Sequence, residues 1–181
     1  MPDFADLAPN NAANRVVTRL VGESLLRVVI RGIYQKPIFS KFLNDWAEPA
    51  VNDVAHAIAR KNGWRISPDG DTALNMLGLT TQVPSNWCYV SDGPYKAYAY
   101  GTGKIVFKHS SNRMMGNLSK DAALFVQALK ALGEDHVDEA ILRRIEKRFT
   151  AVQLDAIEKE TRCASDWIHA KAIVVKEFGH A

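Results

Sequence analysis

The sequence has 181 residues, of which 47% are hydrophobic and 24% charged, and its formal net charge is +3. These values exclude an intrinsically disordered chain and are ordinary for a globular protein with its own core. There is no apolar run of about 18 residues, so no membrane-spanning helix is predicted. The start, MPDFADLAPNN, lacks the basic and apolar segments of a secretory signal, and we expect a cytoplasmic protein.

The first predicted element is a helix over residues 10–22, NNAANRVVTRLVG. Asn10 or Asn11 is suited to cap its amino end, and Gly22 to end it. The apolar residues form one stripe along this helix. The opposite, polar side carries Asn14, Arg15, Thr18 and Arg19.

The run that follows, SLLRVVIRGIY, is rich in β-branched residues and predicts a strand with Arg27 and Arg31 on one face. A helix followed by a basic β-ribbon is the back half of a winged helix-turn-helix, in which helix and ribbon contact DNA. The ribbon residues expected to contact phosphates are Arg27, Arg31, Tyr34 and Lys36. An ordinary solvated helix face is the alternative interpretation of the two arginines on the helix.

Residues 38–50 are irregular and predict a linker between two units. Pro49 suits the first turn of the next helix, which has an apolar stripe and ends at Gly63. The run WRISP then predicts a strand, and DTALNMLGL a helix that begins at Asp69 or Asp71 and ends near Gly78.

Three β-runs follow, WCYVS, YKAYAY and KIVFKHS, and the last two are joined by GTG as in a hairpin. With WRISP they predict a small sheet. From residue 118 the apolar period becomes helical, and Thr150 with Gln153 forms a capping box. The residues predicted to open the helices of this region are Ser119, Asp135, Thr150 and Ser165.

The predicted fold class is α+β. A partial winged helix-turn-helix occupies residues 1–37, a linker residues 38–50, and a mixed domain residues 51–181. In the mixed domain, helices pack with a small β-sheet and end in a helical tail.

The sequence lacks the common catalytic and metal-binding motifs. It contains no GxSxG, P-loop or GxGxxG, and its histidines have no HxH, HxxxH or HExxH spacing. Cys88 and Cys163 lack CxxC spacing, so neither a zinc site nor a disulfide framework is indicated. We therefore expect a non-enzymatic protein without catalytic residues, cofactor or metal. A pocket that gathered Asp69, Asp71 and His109 around a metal would favour an enzyme instead.

A second basic cluster, RRIEKR, lies on the helix predicted after Asp135. Glu146 interrupts the positive charges. The cluster is interpreted as a solvated surface. Its basic residues are Arg143, Arg144, Lys147 and Arg148.

Three runs that cover most of the chain resemble the AbiEi family of bacterial antitoxins. They are NRVVTRLVGESLLRVVIRGIYQKP, AVNDVAHAIARKNGWRISPDGDTALNMLGLTTQVPSNWCYVSDGP and ALFVQALKALGEDHVDEAILRRIEKRF. The most specific part is similar to the family's T-Q-V-P loop, strand and S/T-D-G-P turn, at Thr80, Gln82, Pro84, Ser91, Asp92 and Gly93. A second match is the R-G-x-Y-x-x-P ending of the wing, at Arg31, Gly32, Tyr34 and Pro37.

The resemblance implies an antitoxin of an abortive infection type toxin-antitoxin system. Its winged helix-turn-helix would bind operator DNA and repress its own operon, and its carboxy-terminal domain would counter a nucleotidyltransferase toxin. Members commonly act without a stable complex with the toxin, and direct contact stays open. The family has a full helix and turn ahead of the recognition helix, whereas MPDFADLAP precedes it here and FADLAP is similar to the second helix. We therefore expect a shortened winged helix-turn-helix.

The loop around Thr80, Gln82 and Pro84 either holds helix to sheet or presents a surface. We favour the structural role, because Pro and Thr at a helix-to-strand crossing organise the backbone. The alternative function is a protein-interaction module that has lost DNA binding and acts through its carboxy-terminal helices. That alternative is favoured if Arg15 and Arg19 are buried or paired in a dimer interface. A homodimer stays open.

Overall fold

The computed structural model describes residues 9–42, 44–110 and 118–179. These residues form seven α-helices and eight strands, which confirms the α+β class. The chain divides into two compact units, residues 1–64 and 65–181. The segment 38–50, predicted to link two domains, therefore lies inside the first unit.

The first unit begins with helix α1 (Asn10–Gly22), followed by strands β1 (Arg27–Ile30) and β2 (Ile33–Gln35). The two strands form an antiparallel hairpin. The prediction of one strand over SLLRVVIRGIY was wrong. The chain turns at Arg31 and Gly32, so Arg31 lies in the turn and does not share a strand face with Arg27.

Residues 38–50 contain a second small hairpin, made of β3 (Phe39–Ser40) and β4 (Asp45–Trp46). The rings of Phe39 and Trp46 meet edge to face with 5.5 Å between their centroids. The contact between these rings stabilises the hairpin, so the segment is not irregular throughout. Pro37 and Pro49, which predicted a linker, gave no indication of it.

Helix α2 (Val51–Asn62) closes the first unit, and Gly63 ends it as predicted. Pro49 precedes the N-cap Ala50 and so lies outside the first turn. The predicted apolar stripe is buried at Val54, Ala55, Ile58 and Ala59.

The second unit contains a four-stranded sheet. Its strands are β5 (Ile66–Pro68), β6 (Asn86–Ser91), β7 (Lys96–Tyr100) and β8 (Gly103–His109). Their order in the sheet is β5-β6-β8-β7, with β6 and β8 parallel and the other neighbours antiparallel. The GTG hairpin between β7 and β8 is confirmed, with its turn at Gly101 and Thr102.

Five helices complete the second unit: α3 (Asp71–Met76), α4 (Lys120–Leu132), α5 (Glu139–Glu146), α6 (Ala151–Glu160) and α7 (Asp166–Gly179). Their apolar faces meet in one core. Its largest fully buried side chains are Phe125, Leu77, Leu129, Ile145, Leu154, Ile157 and Ile168. Both α3 and α5 contribute residues to this core. The loop that resembles the AbiEi signature follows α3, and α5 carries part of the second basic cluster.

Two of the predicted helix caps are confirmed. Ser119 Oγ accepts a hydrogen bond from the main-chain N–H of Ala122 at the start of α4. Thr150 and Gln153 form the capping box of α6. Both satisfy main-chain donors that the first turn of a helix leaves without partners.

Three other cap predictions were wrong. Helix α1 follows Pro9 without a side-chain cap, and α3 follows Gly70 without one, so neither Asn10 nor Asp71 caps a helix. Asp138, not Asp135, caps α5 by accepting from the N–H of Ile141 at 2.8 Å. The reason is a 3-10 turn over Glu134–His136, which delays the start of the helix.

Within the three described ranges, no helix combines the length and apolar character needed to cross a membrane.

Candidate functional site

One face of α1 carries the four helix residues predicted to contact DNA. Ala13 and Val17 are buried and fix the orientation of the helix in its unit. The exposed residues include Asn14, Arg15, Thr18 and Arg19. Thr18 Oγ1 donates to the carbonyl of Asn14 at 2.9 Å, which restrains one side chain of this face.

Both arginines of the α1 face are accessible. Arg15 is exposed, and 69% of the Arg19 side chain is exposed although its Nε lies 3.9 Å from Glu23 Oε1. An exposed ion pair at that distance contributes little. The two guanidinium groups therefore stay available to an anionic partner.

The hairpin brings together only part of the predicted ribbon set. Arg31 and Lys36 are exposed, and Tyr34 is half-buried. Lys61 Nζ donates to the carbonyl of Arg31 at 2.7 Å, which ties the hairpin turn to α2. Arg27 is the least available: its Nη2 lies 3.9 Å from Glu48 Oε1, and its Nη1 is buried without a partner.

Residues 10–36 form a basic segment, with five basic residues and a single acidic one, Glu23. Guanidinium groups bind phosphate through paired, charge-assisted hydrogen bonds, and lysine adds a point charge. A helix that exposes two arginines and is followed by a hairpin with exposed cationic residues is chemically suited to a phosphate backbone. The four residues that connect the helix to the hairpin, 23–26, include the exposed Leu25.

The FADLAP segment, similar to the second helix of a winged helix-turn-helix, covers residues 4–9 and lies outside the described residues except for Pro9. The loop that is similar to the T-Q-V-P signature, residues 79–85 in the second unit, lies entirely within the described residues. It is called the signature loop below.

The signature loop, residues 79–85, connects α3 to β6 and is held by one internal hydrogen bond and by bonds to two other elements. Asn75 Nδ2 donates to the carbonyl of Gln82 at 2.8 Å, and the N–H of Gln82 donates to Thr80 Oγ1 at 3.2 Å. The N–H of Lys104 donates to the carbonyl of Ser85 at 3.3 Å. Pro84 is half-buried, whereas the Gln82 side chain is exposed. These bonds fasten the loop to α3 and β8.

The S-D-G turn after β6 is held equally firmly. Ser91 is fully buried, and its Oγ accepts from the N–H of Gly93 at 2.9 Å. Asp92 Oδ1 accepts from the N–H of Arg65 at 2.8 Å, next to β5. His109 Nδ1 lies 2.9 Å from the Gly93 carbonyl at the end of β8. The turn thus joins the ends of three strands.

The acidic pair Asp69 and Asp71 does not build a metal site in this structure. Asp69 Oδ2 accepts from Lys108 Nζ at 3.0 Å, and this hydrogen bond raises the pKa of Lys108. Burial raises the pKa of the nearby Cys88 thiol, which disfavours the thiolate form that binds metals. Among the residues that the structure describes, no group of three or more His, Cys, Asp or Glu could hold a metal ion.

The second basic cluster divides into two parts. Arg143 Nη2 lies 2.8 Å from Glu139 Oε1, and its guanidinium carbon lies 4.3 Å from the ring centroid of Phe178. The other three basic residues line an open cleft with Leu77 and Gly78. All four basic residues are exposed, as the interpretation as a solvated surface predicts. The sequence did not indicate the cleft, because Gly78 lies 66 residues from Arg144. The available signal was the i, i+3, i+4 spacing of Arg144, Lys147 and Arg148.

A family model described as a family of unknown function, DUF6088, matches residues 1–157. The match includes the α1 face, both hairpins, the signature loop and the cleft. No curated protein and no solved structure matches the sequence.

Proposed function

We propose that this chain, which belongs to the DUF6088 family, is an antitoxin that counters a nucleotidyltransferase toxin and binds the operator DNA of its own operon. It acts in the cytoplasm, without catalysis of its own. The DNA-binding part of the proposal rests on the first unit, and the antitoxin part rests on the second.

The observation that carries DNA binding is the exposed polar face of α1 followed at once by the β1–β2 hairpin. A helix fits the major groove, which is about 12 Å wide, and there its polar side chains reach base edges. Asn14 and Thr18 are suited to base edges, while Arg15 and Arg19 are suited to guanine or phosphate. In the hairpin, Arg31 and Lys36 supply further phosphate contacts. Arg27 is left out of this interface because its Nη1 is buried.

The antitoxin part is supported by the resemblance of residues 78–94 to the signature of the AbiEi family. In this chain the polar atoms of Thr80, Ser91 and Asp92 bond within the second unit. Their role in the proposal is therefore to hold a scaffold, while contact with a toxin, if direct, uses other surface residues.

DNA binding is tested with the purified full chain and a labelled fragment of the DNA upstream of its own gene. Binding should fall with added salt and survive an excess of unrelated competitor. Arg15→Gln and Arg19→Gln should each weaken binding, whereas Lys130→Gln, the same charge change at an exposed site of α4, should not. Unchanged binding in both arginine variants would contradict the assignment of α1 as the reading helix.

The antitoxin activity is tested separately by co-expression with the nucleotidyltransferase toxin that the proposal places in the same operon. Growth should be restored by the wild-type chain and by Arg15→Gln, because neutralisation does not use the α1 face. Failure of the wild-type chain to restore growth would overturn the antitoxin assignment and leave the DNA-binding test standing on its own.

The alternative, an interaction module without DNA binding, is favoured if Arg15 and Arg19 are buried or paired in a dimer interface. Both are exposed, and the contact of Arg19 with Glu23 is long. In the single chain both guanidinium groups are accessible to DNA, and the DNA-binding test above decides between the two proposals.

A further inference from the structure

An open cleft of about 320 Å³ lies in the second unit between the end of α3 and the end of α5. Its lining consists of Leu77, Gly78, Arg144, Lys147 and Arg148. Three of these five residues carry a positive charge, and the other two contribute the main chain at the end of α3. The cleft is independent of the α1 face and of the antitoxin proposal.

Main-chain carbonyls hold two of the three cations in place. Arg144 Nη2 donates to the carbonyl of Gly78, and Arg148 Nε donates to the carbonyl of Leu77 at 3.0 Å. These bonds satisfy carbonyls that the end of α3 leaves without helical partners. A guanidinium group has five N–H donors, so each arginine keeps donors that can bind a ligand. Because both groups are already fixed, a ligand loses less side-chain entropy when it binds them.

The cations of the cleft form no ion pair with a described carboxylate. Among the described residues, no carboxylate lies within 4.0 Å of the charged groups of Arg144, Lys147 or Arg148. The adjacent Arg143, by contrast, is paired with Glu139. Capping of α3 explains the two arginines but not Lys147. Positive charges that converge on a concave surface attract anions more strongly than the same charges on a flat one.

Gly78 is needed for this arrangement. Its φ is +68°, and a Cβ at this position would overlap Nη2 of Arg148. The absence of a side chain therefore leaves the Arg148 guanidinium at the wall of the cleft.

We propose that this cleft binds a diphosphate group, either as free pyrophosphate or as part of a small nucleotide. Two anchored guanidinium groups and one lysine match the oxygens and charge of two linked phosphates. The volume lies at the lower end of the range of ligand pockets, about 300–1,000 Å³, and suits a compact anion.

The test is isothermal titration of the full chain with pyrophosphate and with ADP. Both probes should show saturable binding to one site, which weakens as salt is added. Arg144→Gln and Lys147→Gln should each weaken the affinity about tenfold, as expected for loss of a charged hydrogen-bond partner.

Two matched controls carry the same charge changes outside the cleft. Arg143→Gln alters the neighbouring arginine of the same helix, and Lys159→Gln alters an exposed lysine of α6. Both should bind like the wild type. Lys147 is exposed, so Lys147→Gln should fold normally, and circular dichroism checks this.

The two sources of the diphosphate are separated by the ratio of the affinities. Equal affinity for the two probes assigns free pyrophosphate, and tighter binding of ADP assigns a nucleotide. The proposal is overturned if neither probe saturates, or if the controls weaken binding as much as the cleft variants. Binding of an oligonucleotide through the same residues, without binding of pyrophosphate, would also overturn it in favour of a nucleic-acid surface.

Discussion

Helix α1 carries Arg15 and Arg19 at a spacing of four residues, and Arg144 of α5 has the same spacing from Arg148 in the turn that follows α5, yet the surroundings of the two pairs differ. Arg15 and Arg19 project from a helix whose buried residues are Ala13 and Val17, and both side chains are exposed. Arg144 lies on α5, whose buried residues Leu142 and Ile145 belong to the large core, and Arg148 lies in the turn after it. Main-chain carbonyls of another segment accept hydrogen bonds from both guanidinium groups. The same spacing of arginines therefore gives exposed guanidinium groups without hydrogen bonds to the main chain of the described residues in one unit, and groups held by main-chain carbonyls in the other. Side chains without main-chain contacts can adjust to the positions of phosphates along a polymer. Guanidinium groups that are already held in place suit a compact ligand.

The largest expected effect tests how firmly the core holds α5. Ile145 is fully buried, so Ile145→Ala should lower the free energy of unfolding by about 2–5 kcal/mol. Val17→Ala in α1, which removes fewer apolar atoms, should cost about 1–2 kcal/mol. Urea unfolding, with hydrogen exchange assigned to each unit, measures both. An exposed control, Val152→Ala, should change stability by less than about 0.5 kcal/mol. Equal losses of unfolding free energy in Ile145→Ala and Val17→Ala would contradict the view that the core holds α5 more firmly than α1 is held.

The next prediction compares alanine substitutions at two glycines. The comparison separates the stability cost of backbone strain from the effect of displacing Arg148 on binding. Gly78 and Gly63 both have a left-handed backbone, with φ of +68° and +70°, but a Cβ on Gly63 would meet nothing within 4 Å. Gly78→Ala and Gly63→Ala should each cost about 1–2 kcal/mol of stability from the backbone alone. Only Gly78→Ala should also weaken pyrophosphate binding, because it displaces Arg148. Equal binding by the two variants would show that the anchored guanidinium is not needed.

A smaller effect on the free energy of unfolding is expected from the ionised carboxylate of Glu158. The hydrogen bond from Arg162 lowers the pKa of Glu158, and Lys176 acts in the same direction, whereas burial opposes both. Because its folded-state pKa lies below the unfolded value of about 4.3, Glu158 stabilises the fold above that pH. This contribution is lost as the pH falls through the folded-state pKa.

Unfolding free energies of Glu158→Gln and wild type, measured from neutral to acid pH, check the sign. The wild type should be the more stable at neutral pH, and the difference should shrink in acid. Glu177→Gln, at an exposed position of α7, should show no such pH-dependent difference. A difference for Glu158→Gln that stayed constant with pH would contradict the assignment.

Local patterns predicted much of the fold. The spacing of apolar residues located α1 and α2, and short-range chemistry located the GTG turn and the Thr150 capping box. The errors arose where two local signals compete. Asp135 and Asp138 both stand ahead of α5, and only the 3-10 turn between them decides which one caps the helix. In SLLRVVIRGIY, the β-branched residues concealed the turn at Arg31 and Gly32.

The candidate sites were predictable to different degrees. All four polar residues of α1 follow from one helical period, and the structure exposes all four. Glu48, whose Oε1 lies 3.9 Å from Arg27 Nη2, belongs to the segment 38–50 that was predicted to be an irregular linker. The diphosphate cleft needs Leu77 and Gly78 to meet residues of α5, and no local pattern reports a contact between segments so distant in the sequence.

The most direct test of the account is the salt dependence of binding to the upstream DNA, compared between the wild type and the Arg15→Gln/Arg19→Gln double variant. Each phosphate contact contributes about 0.9 to the slope of log affinity against log salt concentration, so loss of both should reduce the slope by about 1.8. The variant should keep the stability of the wild type, since both side chains are exposed. An unchanged slope and affinity in a folded double variant would contradict the proposal that the α1 face binds DNA.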